Sequence, residues 1–471
     1  MERMKKVGAL QWKPSSAVAN SPMGVGMEKL DRDAFDPSLV YDKVAALGVK
    51  WIRLQSGWQK TEKEKGVYDF QWLDEQVDNL LARGCRPWLC LCYGNRVWDE
   101  LAKQYQGAVG CPPIRTQEQH DAWISYVTET ARHFAGRITY YEVWNEAEGG
   151  WTWRPEPNLA EYARFACDTA AAVKAADPEA KIMTGSHFED SLRSFVIEAQ
   201  NGTLACSEAV TYHSYNYDER MSLQRALALR TFLDGCGHPE IEVVQGESGS
   251  QSRSGGNGAL AWVRTDENMQ VKQILRHSVA DLLGGVKFTS VFSAVDMAEN
   301  LDAREGQAIA TCGYFGLLGA EFDPKTGSLV GEYTPKPSYY AFGNLCAVFD
   351  EPVRPTPAAV IFTPKRSSRV DGWDTPTKEL LYGCLEKKNG TRIFAYWAST
   401  DMVTVKDYEG SVSFELSGMP GDAKDVRLLD VRDGSVYEIP DGVMTNEFPG
   451  FYRFTNLPVR DYPLLLTFSA E

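Results

Sequence analysis

Histidine is scarce in this sequence, with six in 471 residues. A metal site built from imidazole and carboxylate ligands needs several such residues gathered at one place, so the scarcity argues against a metal-dependent enzyme. Long apolar runs are also missing, and no stretch approaches the ~18 apolar residues that would span a bilayer. We therefore expect no metal, no cofactor and no membrane partner.

The charged start of the chain, residues 1–6, is not followed by the apolar segment of a secretory signal. Ten cysteines are scattered rather than spaced like a disulfide scaffold, which is typical of reduced thiols in the cytoplasm. Cytoplasmic localisation is therefore the expectation, and a secreted chain that has lost its signal is the alternative. The formal net charge of −15 argues against nucleic acid as a partner, because phosphate groups would be repelled.

In the N-terminal two thirds of the chain, short runs rich in Val, Ile, Leu and aromatic residues alternate with amphipathic stretches. Such runs are typical of parallel strands covered on both faces, and strand–helix alternation indicates βαβ units. Eight runs predict a closed (β/α)8 TIM barrel of the α/β class. The predicted strands are Gly24–Met27, Trp51–Gln55, Pro87–Cys92, Ile138–Trp144, Lys181–Thr184, Ala209–His213, Glu242–Gln245 and Val286–Phe292.

After about residue 348 the pattern changes to short alternating runs separated by turn signals such as Lys388-Asn389-Gly390. These runs predict a C-terminal antiparallel β-sandwich, with the proline-rich segment 351–364 as a linker or edge region. The predicted organisation is an N-terminal segment (1–19) as a candidate strand of the sandwich, a catalytic barrel (20–348) and an accessory sandwich (349–471). We expect the sandwich to cover one side of the barrel.

Two predicted barrel strands end in a carboxylate. Asn145 and Glu146 follow the fourth strand, and Glu247 follows the seventh. Active sites of these barrels lie at the C-terminal ends of the strands, so we expect the two glutamates to face each other across the mouth. Purely structural roles for Glu146 and Glu247 are poor alternatives, because an unpaired charge at the mouth of a barrel destabilises the fold.

A pair of carboxyl groups suits the cleavage of a glycosidic bond. The leaving oxygen needs a proton from a carboxylic acid, and the oxocarbenium-like centre needs an ionised carboxylate as nucleophile or counter-charge. The two groups lie about 5–5.5 Å apart in retaining enzymes and about 6.5–9.5 Å apart in inverting ones. The residues alone leave both mechanisms open.

The same segments resemble a known group of enzymes. Trp144-Asn145-Glu146 is similar to the acid/base signature of glycoside hydrolase clan A, and Gly246-Glu247 is similar to its nucleophile strand. Further similar segments follow in the clan's order, so the resemblance covers about residues 20–348. They are Trp51–Leu54, Glu64–Asp74, Tyr212–Tyr215 and Tyr333–Tyr340. Family 39 and its near relatives are the most similar, and they also carry a β-sandwich after the barrel.

The resemblance implies a cofactor-free retaining mechanism, with Glu247 as nucleophile and Glu146 as general acid/base. It implies that Arg53 keeps Glu247 ionised, since a nearby cation favours the charged form, and that Tyr215 donates a hydrogen bond to Glu247. For Arg53, a plain buried ion-pair partner is the alternative.

Two further roles come from the resemblance. Asn145 would hold the sugar 2-hydroxyl, a contact that strengthens in the transition state. His213 would contact the sugar or orient its neighbours, and a satisfied core histidine is the alternative.

Tryptophan is abundant, with 13 in the chain, and several follow barrel strands, where aromatic rings can stack on sugars. The further candidates for sugar contact at this rim are Trp58, Asn95, Trp151 and Trp153. For each tryptophan, plain packing is the alternative. The sequence departs from the clan at the eighth strand, which ends in Val291-Phe292 without the common tryptophan of the subsite that holds the cleaved sugar.

Other functions stay open beside a glycosidase that acts on β-linked sugars. A transglycosidase shares the covalent intermediate and differs only in the acceptor. A non-catalytic carbohydrate-binding barrel is the second alternative, although pseudoenzymes usually lose a catalytic carboxylate and both are present here. We expect a carbohydrate partner, while the sugar, its linkage, exo or endo action and the oligomeric state stay open.

Overall fold

The computed structural model of the chain describes residues 4–189, 191–298, 312–363, 380–421, 423 and 425–469. The α-helices are α1 (Tyr41–Ala46), α2 (Trp58–Thr61), α3 (Gln71–Ala82), α4 (Gln117–Phe134), α5 (Leu159–Ala176), α6 (Arg193–Gln200), α7 (Glu219–Gly235), α8 (Glu267–Leu283) and α9 (Pro337–Val348). The strands are β1 (Lys5–Ala9), β2 (Met23–Gly26), β3 (Trp51–Gln55), β4 (Arg86–Leu91), β5 (Tyr140–Val143), β6 (Lys181–His187), β7 (Ala209–His213), β8 (Glu242–Ser248), β9 (Thr289–Val291), β10 (Met297–Ala298), β11 (Cys312–Gly313), β12 (Leu318–Phe322), β13 (Leu329–Pro335), β14 (Val353–Thr356), β15 (Ala359–Thr363), β16 (Leu380–Lys387), β17 (Arg392–Ala398), β18 (Glu409–Ser417), β19 (Asp425–Asp430), β20 (Ser435–Glu438), β21 (Met444–Phe448), β22 (Phe451–Arg460) and β23 (Leu464–Ser469).

Strands β2 to β9 close into an eight-stranded parallel barrel, in which β2 pairs with both β3 and β9. Each of the eight predicted strands overlaps one of these. The predicted fold class, a TIM barrel followed by an antiparallel β-sandwich, is confirmed. In such a barrel the mouth at the C-terminal ends of the strands carries the functional side chains.

The inside of the barrel changes from apolar to charged along the strands. Its N-terminal half holds a cluster of buried apolar side chains, from Trp51, Trp88, Tyr140, Met183, Ala209, Val244 and Phe288. Arg53 and Glu142 come two residues after members of this cluster, and both are buried. Because side chains of a strand alternate between its two faces, these charged groups also point inward, one layer closer to the mouth.

Helix α8 lies between the barrel and the sandwich. Asp266 caps its N-terminus by accepting a hydrogen bond from the Met269 backbone N–H at 2.9 Å, and every residue from 269 to 283 is buried. On the sandwich side, Arg276 donates to the Thr400 carbonyl at 2.9 Å, and Lys272 pairs with Asp461 at 2.6 Å. The sandwich therefore covers one side of the barrel, as the sequence predicts.

The sandwich consists of a seven-stranded antiparallel sheet, in the order β1-β20-β19-β23-β17-β16-β14, and a four-stranded one, in the order β15-β18-β22-β21. The N-terminal strand β1 pairs with β20, with Lys5 opposite Glu438. Segments on both sides of the barrel in the sequence, β1 and β14 to β23, thus contribute to the sandwich.

The proline-rich segment forms two edge strands, β14 and β15, rather than a linker. Proline lacks the N–H that a central ladder needs, so an edge is where the sheet tolerates it. The sequence pattern also misses β21 and β22, where Asn446, Pro449-Gly450 and Pro458 interrupt the alternation of apolar residues. Pro364 lies outside the described residues.

The long segment between β9 and α9, residues 292–336, contains short strands. It contains the antiparallel hairpin of β12 and β13 and the short pair β10 and β11, while residues 299–311 lie outside the described part. Among the helices described, none is both long and apolar enough to cross a membrane.

Candidate active site

A cavity of about 420 Å³ opens at the C-terminal ends of the barrel strands. Its charged and amide side chains come from Glu28, Lys29, Arg32, Gln55, Asn145, Glu146, Glu247 and Asn257. Its aromatic side chains come from Tyr93, Trp151, Phe188, Tyr215, Trp262, Phe292 and Phe315. A polar interior with an aromatic surround suits a ligand that carries both hydroxyl groups and apolar ring faces.

Glu146 and Glu247 face each other in this cavity. One carboxylate oxygen of Glu146, one of Glu247 and a ring nitrogen of His213 all lie within 4.8 Å of one another. The chain turns sharply to present Glu146, because Trp144 and Glu146 both adopt left-handed backbone conformations, with φ of 65° and 52°. Non-glycine residues pay a steric cost in this region, and such costs concentrate at functional sites.

Arg53 forms the centre of the charge network below the two glutamates. Its Nε donates to Glu142 at 2.8 Å and its Nη2 to the other Glu142 oxygen at 2.6 Å. Its Nη1 donates to Glu247. The guanidinium therefore holds the Glu247 carboxylate from inside the barrel while Glu142 fixes its orientation from the opposite side.

The surroundings push the pKa values of the two facing glutamates apart. Burial alone would raise the pKa of Glu247, but the charges of His213 and Arg53 and the hydrogen bond from Tyr215 outweigh it and hold that pKa below its ordinary value. Burial raises the pKa of Glu146 above its ordinary value, against the hydrogen bond with His213 and with help from the charge of Glu247. One carboxyl is thus favoured as an anion and the other as an acid.

His213 and Tyr215 both contact this pair. The His213 Nδ1 lies 2.7 Å from Glu146 Oε1 and 3.8 Å from Glu247 Oε2, and its Nε2 lies 3.0 Å from the Ser186 hydroxyl. The Tyr215 hydroxyl donates to Glu247 Oε2 at 2.6 Å. Burial disfavours a charged imidazole, yet the two glutamates raise the pKa of His213.

Asn145 lies beside the pair, with its side-chain oxygen already engaged. Its Oδ1 accepts a hydrogen bond from Arg53 Nη2 at 2.9 Å. Its amide nitrogen is then the group that can donate to a ligand in the cavity that Asn145 lines.

Of the rim residues predicted from the sequence, only Trp151 lies in the cavity. Its side chain is 38% exposed, and its ring centroid lies 5.0 Å from that of Phe188. The two rings form an aromatic pair on the side of the cavity where the loop of Glu146 runs.

The structure places Trp58, Trp153 and Asn95 outside the cavity. Trp58 is 1% exposed and stacks on Tyr126, and Trp153 is fully buried with its ring 5.7 Å from that of Trp144. Asn95 is also buried and donates its amide to the Glu62 carbonyl at 2.8 Å. These side chains point towards the helices rather than into the mouth, so they brace the loops that carry the site.

Sequence reasoning misses several residues of the site. Glu142 and Glu28 are absent from the predicted set, although both contact Arg53. Phe188 and Trp262 come from the loops after β6 and β8, and Trp262 is 81% exposed. Phe292 lines the cavity directly after β9, at the position where the sequence lacks the tryptophan of the resembled clan.

The grouping of Glu146, His213 and Glu247 also resembles a set of metal ligands. The Glu247 oxygens, however, accept hydrogen bonds from Arg53 and Tyr215. A metal cation at this place would be repelled by the charge of Arg53. The two hydrogen bonds also occupy Glu247 oxygens that a metal would need as ligands. The donor set therefore suits acid–base chemistry better than metal binding.

Comparison with known proteins finds similarity to glycoside hydrolases. A family model for glycoside hydrolase family 42, described as beta-galactosidase, matches residues 37–96. No curated protein sequence matches the chain. Among solved structures, a family 39 glycoside hydrolase from the gut symbiont Bacteroides cellulosilyticus WH2 matches with a TM-score of 0.64 and 15% identity, over 97% of this chain and 81% of that one.

A family 39 beta-xylosidase from Caulobacter crescentus matches with a TM-score of 0.56 and 16% identity, over 99% of this chain and 98% of that one. A family 30 subfamily 8 xylanase from Clostridium acetobutylicum matches with a TM-score of 0.52 and 11% identity, over 99% and 97%. The chain therefore has the fold of clan A glycoside hydrolases. The resemblance seen in the sequence is confirmed at the level of this fold, with its barrel and its sandwich.

Proposed function

We propose that the chain is a retaining glycosidase that cleaves a β-linked sugar through a covalent glycosyl-enzyme. The observation that carries the proposal is the pair of Glu146 and Glu247, whose carboxylate oxygens approach within 4.8 Å and whose pKa values are shifted in opposite directions. Oxygens this close favour the retaining arrangement, with carboxyl groups about 5–5.5 Å apart, over the inverting one of about 6.5–9.5 Å. The similarity to clan A folds supports the same class of enzyme.

In the first step, Glu247 attacks the anomeric carbon while Glu146 gives its proton to the leaving oxygen. The bond from the anomeric carbon to that oxygen breaks, and a bond to the Glu247 carboxylate forms. In the second step Glu146, now ionised, takes a proton from water, whose oxygen attacks the same carbon and releases Glu247. Two inversions return the original anomer.

The surrounding residues have matching roles in this scheme. Arg53 and Tyr215 keep Glu247 ionised and oriented through their hydrogen bonds. Asn145 offers an amide donor to a sugar hydroxyl, with its orientation fixed by Arg53. His213, which lies 2.7 Å from Glu146, lowers the pKa of that carboxyl and so helps it to give up its proton. Trp151 and Phe188 offer an aromatic surface for the sugar or its leaving group.

The experiment is hydrolysis of a panel of aryl β-glycosides, comprising xyloside, glucoside, galactoside and glucuronide, followed by NMR of the first-formed sugar. A β-anomer that appears first supports the retaining mechanism. An α-anomer that appears first means inversion and removes the nucleophile role of Glu247. The xyloside is included because a structural neighbour is described as a beta-xylosidase, and the galactoside because of the family 42 match.

A transglycosidase would use the same intermediate with a sugar acceptor in place of water. The panel separates the two, because added acceptor sugar would divert most of the product to a longer glycoside in a transglycosidase. If no member of the panel is cleaved while sugars bind, the carbohydrate-binding alternative gains support.

A further inference from the structure

Glu28 is a third carboxyl group in the cavity, and the proposed mechanism does not use it. It follows strand β2, is 1% exposed and lines the cavity beside Glu247. Apart from a contact with its own backbone N–H, neither of its oxygens has a hydrogen-bond partner within the part of the chain that the structure describes. Buried carboxyl oxygens almost always have a partner, so an unpartnered one that lines a binding cavity calls for a ligand.

The Glu28 carboxyl lies directly against the backbone of Gly26. A Cβ atom built on Gly26 would lie 2.1 Å from Glu28 Oε2. The carboxyl thus folds back over its own strand into space that only a glycine leaves.

The cation nearest to Glu28 is already committed to other groups. Arg53 Nη1 lies 3.5 Å from Glu28 Oε1, beyond a good hydrogen bond, and the same nitrogen donates to Glu247. The other guanidinium nitrogens of Arg53 donate to Glu142. Arg53 therefore attracts the Glu28 carboxyl but does not donate a hydrogen bond to it.

The charges around Glu28 restrict the ligand that it can accept. The cavity holds charges of both signs, Arg53 and Lys29 as well as Glu146 and Glu247, so the attraction that a charged ligand gains from one set is offset by repulsion from the other. A neutral hydroxyl group meets neither penalty. Burial and the charge of Glu247 raise the pKa of Glu28 to about 8, against the charges of Arg53 and Lys29, so near neutral pH the acid form can both donate to and accept from a hydroxyl.

We infer that Glu28 binds a ring hydroxyl of a neutral sugar held beside Glu247 and thereby selects which sugar is cleaved. The inference rests on the proposed glycosidase function, because it places the sugar in the same cavity. It adds a specificity-determining contact from the first barrel strand, distinct from Asn145, which follows the fourth.

The test combines variants of Glu28 with sugars that lack one hydroxyl. The substrate is the aryl β-glycoside of the panel that the wild type cleaves best, with its singly deoxygenated analogues at each ring position other than the 2-position. One analogue should lower kcat/KM of the wild type by roughly 10- to 100-fold. Glu28→Ala should lower kcat/KM on the parent substrate by a similar factor and should show almost no further loss on that analogue.

Two further variants separate hydrogen bonding from folding. Glu28→Gln keeps a donor and an acceptor without charge, so it should retain most of the discrimination among hydroxyls. Glu62→Gln is the matched control, because Glu62 is a buried glutamate outside the cavity whose carboxylate binds Trp98 and Gly66, and it should leave the discrimination unchanged. If Glu28→Ala discriminates among all the analogues as strongly as the wild type does, Glu28 touches no hydroxyl and the inference is wrong.

A binding measurement keeps this outcome separate from the fate of the proposed function. Free xylose, glucose and galactose and their deoxygenated forms are titrated into the wild type and Glu28→Ala by calorimetry. If no glycoside is cleaved, yet one sugar binds and its affinity depends jointly on Glu28 and one hydroxyl, the inference stands and the glycosidase proposal falls. If sugar binding does not depend on Glu28, or no sugar binds and none is cleaved, the inference falls.

Discussion

Glu142 holds Arg53 with two hydrogen bonds, of 2.8 Å and 2.6 Å, entirely inside the barrel. Glu142 also accepts a hydrogen bond from the Trp88 indole at 3.0 Å. Burial alone would raise the pKa of Glu142, but the charge and hydrogen bonds of Arg53 hold that pKa below its ordinary value. The carboxylate and guanidinium therefore remain a fixed ion pair beneath the cavity. The second side of the guanidinium is left to face Glu247, which is how the barrel directs a buried positive charge at one carboxylate.

The first prediction concerns Arg53→Lys. Lysine is a point charge that cannot bind Glu142 and Glu247 at once, so we expect kcat/KM to fall by about 100-fold. With the single ammonium held by Glu142, Glu247 loses the direct hydrogen bond from Arg53, so its pKa should rise and the acidic limb of the kcat/KM profile should move to higher pH. The measurement is the pH profile with the best aryl glycoside.

The matched control for that prediction is Arg83→Lys, which alters an arginine on the outside of the barrel that pairs with Asp42 at 2.7 Å. It should leave both kcat/KM and the profile unchanged. An acidic limb that stays in place in Arg53→Lys would show that Arg53 does not set the ionisation of Glu247.

The second prediction concerns Glu146→Ala. Without the acid, substrates with poor leaving groups should lose about 10²–10⁴-fold in rate, whereas a dinitrophenyl glycoside, whose leaving group needs no proton, should lose far less in the first step. Azide should accelerate the variant and yield the β-glycosyl azide, because it attacks the glycosyl-enzyme that Glu247 still forms. Glu189→Ala, which removes an exposed carboxylate of the loop after β6, is the control and should behave as the wild type. Equal losses on good and poor leaving groups would argue against the acid role.

The third prediction concerns His213→Gln. The hydrogen bond and the charge of His213 lower the pKa of Glu146, and its charge also lowers the pKa of Glu247. Removing His213 should raise the pKa of both glutamates. Both limbs of the bell-shaped pH profile of kcat/KM should therefore move to higher pH, and the profile should not narrow. His133→Gln serves as the control, since His133 pairs with Asp74 on the outside of the barrel at 2.8 Å. A bell that stays in place would mean that His213 is uncharged and acts by shape alone.

The fourth prediction concerns stability and the buried His187. Its Nδ1 lies 2.7 Å from Glu148, and its Nε2 contacts Glu198. Glu148 in turn accepts the Phe188 backbone N–H at 2.6 Å, so the network ties the loop of Glu146 to that of Phe188. Burial opposes the charge, but the two glutamates raise the pKa of His187 to about 10.

Because that pKa is raised above its unfolded value, the stabilisation by His187 is complete below about pH 6.5 and is lost as the pH rises through about 10. His187→Gln should cost about 3–5 kcal/mol near pH 6, since it leaves buried carboxylates unpaired. The difference in thermal midpoint from the wild type should shrink towards pH 10, and KM should rise as Phe188 shifts. His120→Gln, at an exposed pair, should show neither effect. A midpoint difference that does not depend on pH would refute a charged His187.

The sequence predicts the barrel well because its strands are buried on both faces and their apolar runs stand out. It also locates Glu146 and Glu247, since a charged residue directly after such a run has few structural explanations. The sequence leaves β14 and β15 open as a linker or an edge and misses β21 and β22, because proline and turn-like residues mask their alternation. There, pairing with neighbouring strands decides the structure, and the local pattern does not contain that information.

The errors at the site have a common physical origin. A residue after a barrel strand lies at the mouth, but its direction decides whether it faces the cavity or the helices, and Trp58 and Trp153 face the helices. For Glu142 a signal was available. It lies two residues after Tyr140 on one strand, as Arg53 lies two after Trp51 on another, so strand alternation puts both inside the barrel, where an arginine needs a carboxylate.

The most direct test of the central claim is to trap the glycosyl-enzyme with the dinitrophenyl 2-deoxy-2-fluoro-β-glycoside of the preferred sugar, followed by mass spectrometry of the intact protein and its peptides. We expect the protein to gain the mass of one fluoroglycosyl group, activity to be lost in step with labelling, and the label to lie on Glu247. Glu247→Gln should gain no label. A label on any other residue, or inactivation without a covalent adduct, would contradict the double displacement proposed for Glu146 and Glu247.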